Sequence, residues 1–514
     1  MTADPTERVR RTAYSLFIAV TVSIVCARIL AIERVYEPSI YRPDARPDLA
    51  AIILPLSAAS PMDQATVLAT AIEAWSRIDA LAPPRSWPPR RPAVSPTFSS
   101  NDKSRWATVR SLVDHGTFVI GRRDRLPDGR FRDFGVVFED GWESIDKVLH
   151  PETGEFYSSK PPLLPVIAAG EYWLLKRALG WQIAEHPQRV IATILLTINA
   201  VPLTVYLIVL ASLIERYGRS DFGRLFTFAA ACFGTFITTF SNTFNNHTPA
   251  AITALLAAAP MLFGWRTIPA VIIGGALAGL TACFELPALA LVALLTLVVL
   301  RHEGWGRAGV FAAAAAVPIA AQIALNVAVL GDWKPAYEKT DTVWYRYEGS
   351  HWNKQGTERR GIDYAADQES RGTYAFHLLL GHHGLFSLTP IWLLSIFGWL
   401  WIALGRDGRG SRWRDVNLAG AAAWLIVIIF FTAVVGTRNY GGWTCGPRWF
   451  FWLTPFGLLA LLPAADQLAQ SRTGRGLAIA LLGLSTLSAH YSLANPWRHP
   501  WIYRAMEAWG WRGY

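Results

Sequence analysis

The sequence predicts an all-α integral membrane protein with about 11 transmembrane helices. Hydrophobic residues make up 52% of the 514 residues and charged residues only 17%, which excludes most soluble globular domains. Several apolar runs reach about 20 residues, the length that crosses a bilayer core of about 30 Å as a helix. The arginines gather at the ends of these runs. The net charge of +10 therefore indicates contact with membrane lipid and no nucleic-acid partner.

The first predicted element is an apolar helix over residues 13–32, which follows three arginines. It is longer than the roughly 7 to 15 apolar residues of a signal peptide and lacks a small-residue cleavage site. We therefore expect residues 1–33 to form a cytoplasmic N-terminus and a retained transmembrane helix. Three of the four cysteines lie in apolar runs, which argues against a disulfide framework.

Ten further apolar runs predict the other crossings. They cover residues 189–213, 224–241, 248–264, 267–283, 286–301, 308–330, 386–404, 416–436, 449–464 and 476–492. The distribution of arginines between these runs places the N-terminus inside and the C-terminus outside. The apolar segment 161–181 contains Glu171 and begins with two prolines, which predicts a short interfacial helix that does not cross.

This topology divides the chain into bundle segments and outward loops. We expect a first extracytoplasmic loop with juxtamembrane helices over 34–188, transmembrane bundles over 189–330 and 386–492, a second extracytoplasmic loop over 331–385, and an interfacial C-terminal tail over 493–514. Within the first loop, the Pro- and Arg-rich stretch 34–98 is typical of a loosely ordered insertion, with a helix near 62–80.

Polar residues collect at the outward ends of the predicted helices, whereas the centres of the helices are nearly free of charge. Transporters usually place ionisable groups near the middle of their helices, where the substrate must pass. The pattern favours a reaction at the outer interface on a substrate that is partly in lipid. A non-catalytic lipid or polysaccharide transporter or assembly protein is the alternative.

Residues 99–118 predict a helix that begins near Ser99 and ends at Gly116. Its apolar positions form one stripe, which we expect to face lipid or the bundle. Asp102 lies in the first turn, where the helix dipole favours an ionised carboxylate. Such a carboxylate can accept a proton from a hydroxyl group as a general base. Alternatively, Asp102 is a capping residue or the surface ion-pair partner of Arg105.

Two further motifs lie at predicted outer helix ends. Lys160 precedes a Pro-Pro helix start, where its ammonium can meet a phosphate at headgroup height, unless it is an ordinary snorkelling lysine. Asn246 and His247 begin another predicted helix. They are candidates for binding phosphate or acceptor, and the alternative is a cap that satisfies free backbone donors.

The loop over 437–449 combines glycines, aromatic residues and two arginines. Tyr440 and Trp443 are candidates for stacking on a sugar ring, while Arg438 and Arg448 can bind phosphate in a bidentate manner. The alternative is a tight turn anchored by tryptophans at the interface. In the preceding loop, His377 and its neighbours lack an acid or cysteine at ligand spacing, so the sequence predicts no metal site there.

Five stretches together resemble a known family: "NDKSRWATVRSLVDHGTFVI", "YSSKPPLLP", "FNNHTPA", "YAFHLLLGHHGLFSLTP" and "NYGGWTCGPRWF". They are similar to the polytopic GT-C glycosyltransferases, in the branch of protein O-mannosyltransferases and the aminoarabinose transferase of lipid A. The resemblance follows the order of elements from about residue 1 to 460 and omits 34–98. It implies a GT-C-like fold and transfer of a sugar from a polyprenyl-phosphate donor to an acceptor glycan, lipid or protein. The expected location is the extracytoplasmic face of the cell (inner) membrane.

The resemblance also implies roles for individual residues. Asp102 corresponds to the family's general base and Lys160 to its donor-phosphate ligand. Family members often have an Asp-Glu pair and an acid directly before the lysine, but this chain has Lys103 and Ser159 there. These departures count against a divalent cation, the one cofactor left open, and are compatible with a single-carboxylate mechanism. The full set of candidates is Asp102 as the catalytic residue, Lys160, Arg438 and Arg448 for the donor phosphate, and Arg105, Tyr157, Asn246, His247, Glu285, His377, Tyr440 and Trp443 for the substrate.

Overall fold

The protein is mostly helical. A computed structural model describes residues 5–32, 66–67, 69–73, 96–139, 141–359 and 361–511. Most of the stretch 34–98 lies outside the described residues, and with it much of the helix predicted near 62–80. The described part of that stretch is helical at 66–67 and 69–73.

The main helices are numbered here in chain order. They are α1 (Pro5–Leu30), α2 (Ser100–Asp114), α3 (Leu163–Leu179), α4 (Pro187–Leu195), α5 (Val201–Tyr217), α6 (Asp221–Phe233), α7 (Phe236–Phe240), α8 (His247–Phe263), α9 (Ile268–Phe284), α10 (Leu289–Glu303), α11 (Trp305–Leu330), α12 (Ala365–Gln368), α13 (Arg371–Leu379), α14 (Leu385–Leu388), α15 (Ile391–Ala403), α16 (Ser411–Ile429), α17 (Thr454–Leu468), α18 (Arg472–Tyr491) and α19 (Trp501–Ala508). Short π-helical segments extend α4 over Leu196–Ala200 and α16 over Phe430–Val434. The 3-10 helix Arg448–Leu453 leads into α17.

Seven helices among the described residues are long and apolar enough to cross a membrane. They are Thr6–Leu30, Pro187–Tyr217, Asp221–Phe240, Leu286–Glu303, Trp305–Leu330, Ser411–Val434 and Arg448–Leu468. Three further apolar helices are shorter: α8, α9 and α15. All ten overlap runs that the sequence predicts as crossings. The total of about 11 stays a prediction.

Ion pairs tie the helices together at the end of the bundle that we predict to be cytoplasmic. The Arg10 guanidinium of α1 bonds Glu215 of α5 and Asp221 of α6, with a closest approach of 2.7 Å to Asp221. Arg412 of α16 similarly bonds Glu303 of α10. These ion pairs hold the start of α1 next to the end of α5 and the start of α6, and the end of α10 next to the start of α16.

The prediction of an all-α protein is wrong in one respect, because the first predicted loop contains a four-stranded antiparallel sheet. Its strands are β1 (Gly121–Arg125), β2 (Phe131–Phe134), β3 (Lys147–Leu149) and β4 (Glu155–Ser158), in the order β2-β1-β4-β3. These strands have three to five residues. Strands this short contain too few alternations to produce a period-two pattern in the sequence.

The sheet packs on α2 and helps bury it against the bundle. Ala107 of α2 shares an apolar cluster with Ile120, Val137 and Phe156 of the sheet region. On its other side, Trp106 is fully buried with its ring 4.5 Å from that of Phe244. Residues from Asn101 to Ser111 are all buried. The predicted helix is therefore held inside the protein, with its apolar stripe facing the bundle.

Candidate functional site

Strand pairing brings an acid and a base together at one end of the β3-β4 hairpin. Lys147 pairs with Ser158, and the next residues outward continue the contact, because the Ser159 amide donates to the Asp146 carbonyl at 3.1 Å. The Lys160 Nζ then lies 2.7 Å from Asp146 Oδ1. Both side chains keep slightly under a fifth of their surface exposed. The register of the hairpin thus creates an ion pair that remains accessible.

Helix α2 contributes an arginine to the same region. The Arg105 side chain is 2% exposed and donates to the Asn101 carbonyl at 2.9 Å. It also donates to the side-chain oxygens of Asn101 and Asn246. Ser104, one residue earlier, donates to the Asp146 carbonyl at 2.5 Å. Helix α2 therefore touches both the hairpin and the start of α8.

Asp102 lies on α2 and has a different environment from Asp146. Its residue exposure is 1%, and its two carboxylate oxygens accept hydrogen bonds from the backbone amides of Phe98 at 3.1 Å and Phe244 at 3.2 Å. Burial raises the pKa of this carboxyl to about 7, although the two amide donors lower it. Asp102 thus links α2 to the turn before α8.

A polar network joins the start of α8 to the end of α9. His247 is the first residue of α8, and its Nδ1 bonds Glu285, which follows the last residue of α9. The Asn246 amide also donates to Glu285 Oε1 at 2.8 Å. Because Asn246 accepts from Arg105 as well, this network joins α2, α8 and α9.

Arg448 completes the set of cations. It begins the 3-10 helix before α17, and its guanidinium donates to the Gly441 carbonyl from Nε at 3.2 Å and Nη2 at 2.9 Å. Its Nη1 lies 2.8 Å from His247 Nε2. Gly441 has a φ of +88°, a conformation that favours glycine and turns this carbonyl toward the arginine.

The charges of this cluster act on one another. Burial raises the pKa of the Asp146 carboxyl, but the charge and hydrogen bond of Lys160 oppose it. With Arg448 and Arg105 also lowering it, the pKa of Asp146 lies below its ordinary value. Burial is the main cause that lowers the pKa of Lys160, and it lowers that of Arg105 to about 10. Near neutral pH, Asp146 is therefore ionised and Arg105 remains a cation.

A cleft of about 330 Å³ lies next to Lys160. Its polar lining includes Lys160, Ser158 and Asn326, and its apolar lining includes Val329 and Leu330 at the end of α11. A second cleft of about 400 Å³ lies at the opposite end of the bundle, among residues of α8 to α11. Of these two clefts, only the first is lined by Lys160, and it combines this cation with an apolar wall.

The predicted site residues fall into two groups. One group lies around α2, the β3-β4 hairpin, the start of α8 and the end of α9, and contains Asp102, Arg105, Lys160, Asn246, His247, Glu285 and Arg448. The rest make contacts elsewhere. The Tyr157 hydroxyl donates to Glu155 at 2.7 Å, and its ring packs beside Leu330. Arg438 donates to the Ala366 carbonyl at 2.8 Å.

Tyr440, Trp443 and His377 belong to a second cluster, rich in histidines. The Tyr440 hydroxyl donates to Glu369. The ring centroid of Trp443 lies 4.5 Å from that of His499, and the ring of His377 stacks on that of His382 at 4.1 Å. The sequence-based roles of these three residues in substrate binding stay predictions.

Sequence reasoning missed Asp146. The family resemblance implies an acid directly before Lys160, and that position is occupied by Ser159. Asp146 directly precedes β3 and contacts Lys160, which is 14 residues later in the chain. The sequence signal for this pair is an acid just before the first strand of a short hairpin, with a lysine just after the second strand. Asn101, whose carbonyl accepts a hydrogen bond from Arg105, is likewise not among the predicted site residues.

No protein-family model matches the chain, and no curated protein matches it. Solved structures of the Archaeoglobus fulgidus oligosaccharyltransferase are similar to it. The apo form has a TM-score of 0.44 and 13% sequence identity, and the match covers 81% of this chain and 54% of that one. The same enzyme, AglB, in complex with an inhibitory peptide and a dolichol-phosphate has a TM-score of 0.43 and 12% identity over the same shares. The chain thus spans about half the length of the solved structures that it matches.

Proposed function

We propose that this protein is a GT-C-type glycosyltransferase that moves a sugar from a polyprenyl-phosphate donor to an acceptor hydroxyl at the extracytoplasmic face of the membrane. One observation carries the proposal. Three cations, Arg105, Lys160 and Arg448, lie in one polar region with the carboxylates of Asp146 and Glu285, and Lys160 of this group lines a cleft that has an apolar wall. The family resemblance of the five sequence motifs supports the same chemistry.

The cations suit the leaving group of such a reaction. A lipid phosphate gains negative charge as the bond to the anomeric carbon breaks, and positioned cations in a dry site stabilise that charge. Lys160 lines the cleft and retains access to it. Arg448 has a planar guanidinium with five N–H groups, and its contacts with Gly441 and His247 leave one N–H on each terminal nitrogen for phosphate oxygens. We assign the donor phosphate to Lys160 and Arg448, with Arg105 adding positive charge behind them.

The apolar side of the cleft suits the lipid portion of the donor. Val329 and Leu330 lie at the end of α11, a helix long enough to cross the membrane. A polyprenyl chain lying along this helix would remain in lipid while its phosphate reached Lys160. This arrangement lets the enzyme bind a membrane substrate without extracting it from the bilayer.

A carboxylate must then accept the proton of the acceptor hydroxyl as its oxygen attacks the anomeric carbon. We infer that Asp146 is the better candidate, because it is ionised and partly exposed beside Lys160. It supplies the acid that the family places directly before the lysine. Asp102 stays a candidate base, with both of its oxygens already bound to backbone amides.

Mass spectrometry of membranes tests the proposal. Cells with the wild-type protein, with Lys160→Met, or with Lys176→Met are compared for polyprenyl-linked sugars and glycosylated envelope products. Lys176 is a matched control because it also pairs with an aspartate at 2.7 Å, Asp114, outside the cation cluster. We expect Lys160→Met to accumulate the donor and lose the product, and Lys176→Met to resemble wild type.

Two outcomes would contradict the proposal. Identical glycans and lipid-linked sugars with and without the protein would remove glycosyl transfer as its function. A change in the sidedness of a lipid or polysaccharide, with no new glycosidic bond, would instead support the transporter alternative. Both outcomes are readable in the same samples when intact and inverted vesicles are analysed separately.

A further inference from the structure

A second cluster of polar side chains lies where the 331–385 segment meets the 437–449 loop. One ligand atom from each of Glu369, His377 and His382 lies within 4.8 Å of the other two. His377 is 6% exposed and His382 is fully buried. Two imidazoles and a carboxylate are side chains that commonly bind a zinc ion in proteins.

The local sequence explains how three residues within 14 positions converge. Ser370 caps α13 by accepting a hydrogen bond from the Thr373 amide at 3.1 Å, which directs the chain from Glu369 into the helix. His377 lies near the end of α13, and the chain then turns back at Gly381. A Cβ atom at position 381 would lie 2.2 Å from His377 Nδ1. Only glycine allows this approach, which stacks His382 on His377.

Neighbouring residues orient two of the three side chains, Glu369 and His382, in the manner of an outer shell around a metal. The Tyr440 hydroxyl donates to the Glu369 carboxylate. The Nδ1 atoms of His382 and His383 lie 2.6 Å apart, so one donates to the other and fixes the ring of His382. Because Nδ1 of His382 contacts His383, Nε2 is the nitrogen of His382 that would bind an ion. Hydrogen bonds that fix the tautomer and direction of ligating histidines are a regular feature of metal sites.

We propose that Glu369, His377 and His382 bind a divalent transition-metal ion, with Zn²⁺ as the preferred ion. The set of two nitrogens and one oxygen suits Zn²⁺ better than Mg²⁺ or Ca²⁺, which prefer oxygen ligands. Three protein ligands leave the fourth position of a tetrahedral zinc ion to a water molecule. The sequence predicted no metal here because the acid that completes the set is eight residues before His377, outside the usual ligand spacing.

The position of the site suggests what the ion does. Tyr440, which bonds Glu369, directly precedes Gly441, whose carbonyl accepts two hydrogen bonds from Arg448. A bound ion would hold Glu369 and therefore the start of the loop that positions Arg448. We assign it a structural role in fixing this loop. Its consequence for sugar transfer rests on the proposed function, whereas metal binding itself does not.

Metal binding is measured on the full-length protein in detergent, purified with a tag that contains no histidine. Metal is first removed with EDTA. One sample is then titrated with Zn²⁺, and a second sample is titrated with Co²⁺, whose binding is monitored by visible absorption. We expect about one ion per chain in the wild type. Glu369→Gln and His382→Gln should each weaken binding at least about tenfold, and Tyr440→Phe about 10- to 100-fold through the outer shell.

His490→Gln is the matched control, because His490 contacts the Thr486 carbonyl on α18 and is not in the Glu369 group. It should bind metal as the wild type does. A zinc-dependent rise in the unfolding temperature of the wild type that is lost in Glu369→Gln would confirm that binding is at this cluster. The proposal is overturned if the wild type binds neither ion, or if the Glu369→Gln and His382→Gln variants bind as tightly as the control while remaining folded.

Discussion

Substitutions of Asp146 and Asp102, the two candidate bases, test which carboxylate is catalytic and which one stabilises the fold. Asp146→Asn keeps the size of the side chain but removes the charge that pairs with Lys160 at 2.7 Å. Asp102→Asn keeps the size of a side chain whose two oxygens accept backbone amide hydrogen bonds. We expect the first substitution to reduce the rate of transfer and the second to reduce the stability of the fold.

The magnitudes follow from the contacts. A general base contributes about 10²- to 10⁴-fold to the rate, so Asp146→Asn should lower kcat by that range. In Asp102→Asn, the new amide group faces one of the two backbone amides, which loses its acceptor. A buried donor without a partner costs about 1 to 3 kcal/mol, so the unfolding temperature should fall while the folded fraction keeps much of its activity.

The pH dependence of transfer provides an independent check. The pKa of Asp146 lies below its ordinary value, so this carboxylate stays ionised between pH 5 and 8 and the rate should be flat there. Burial raises the pKa of Asp102 to about 7, so a reaction that used it as base would slow about tenfold per pH unit below 7.

The assay follows transfer from a polyprenyl-phosphate sugar in proteoliposomes, with thermal unfolding measured on the same preparations. Asp133→Asn is the control, because Asp133 pairs with Arg123 at 2.7 Å on the same sheet, away from the cation cluster. The reasoning is refuted if Asp102→Asn abolishes transfer at unchanged stability while Asp146→Asn remains fully active. That result would make Asp102 the base, as the sequence predicted.

Two further predictions concern the cation cluster and the bundle. Arg448→Lys should lower transfer at least about tenfold, because an ammonium group cannot reproduce the planar set of guanidinium donors. Arg122→Lys is the control, because Arg122 forms an exposed ion pair with Glu155, and it should have little effect in the same assay. Gly398→Ala should lower the unfolding temperature, because its Cβ would lie 1.8 Å from the Ala460 carbonyl oxygen, and overpacking typically costs about 1 to 3 kcal/mol. Gly483→Ala, with nothing within 4 Å of the new Cβ, should leave it unchanged or raise it.

The bundle was largely predictable because membrane helices are specified by local composition. The apolar run 308–330 predicts a membrane helix from its length and hydrophobicity alone. The structure has α11 there, over Trp305–Leu330. The start of α2 was predictable for a similar reason, since the sequence predicts a helix that begins near Ser99 and the helix starts at Ser100. Both signals lie within a few residues of the element that they specify.

The parts that sequence reasoning missed depend on contacts between distant residues. Asp146 meets Lys160 through the register of two short strands, neither of which has a readable pattern. Glu369 meets His377 because a capped helix and a glycine turn bring them together. In each case the chemistry is set by tertiary geometry, and a scan for ligands or acids at fixed sequence spacing does not detect it.

The β3-β4 hairpin sets a rule for which changes in chain length the protein can tolerate. Side chains alternate between the two faces of a strand, so an insertion of one residue between Asp146 and Leu149 would rotate the acid away from Lys160. An insertion at the tip, over residues 151–154, would leave both arms in register. Homologous chains should therefore vary in length at the tip, while the distance along each arm to Asp146 and to Lys160 stays constant.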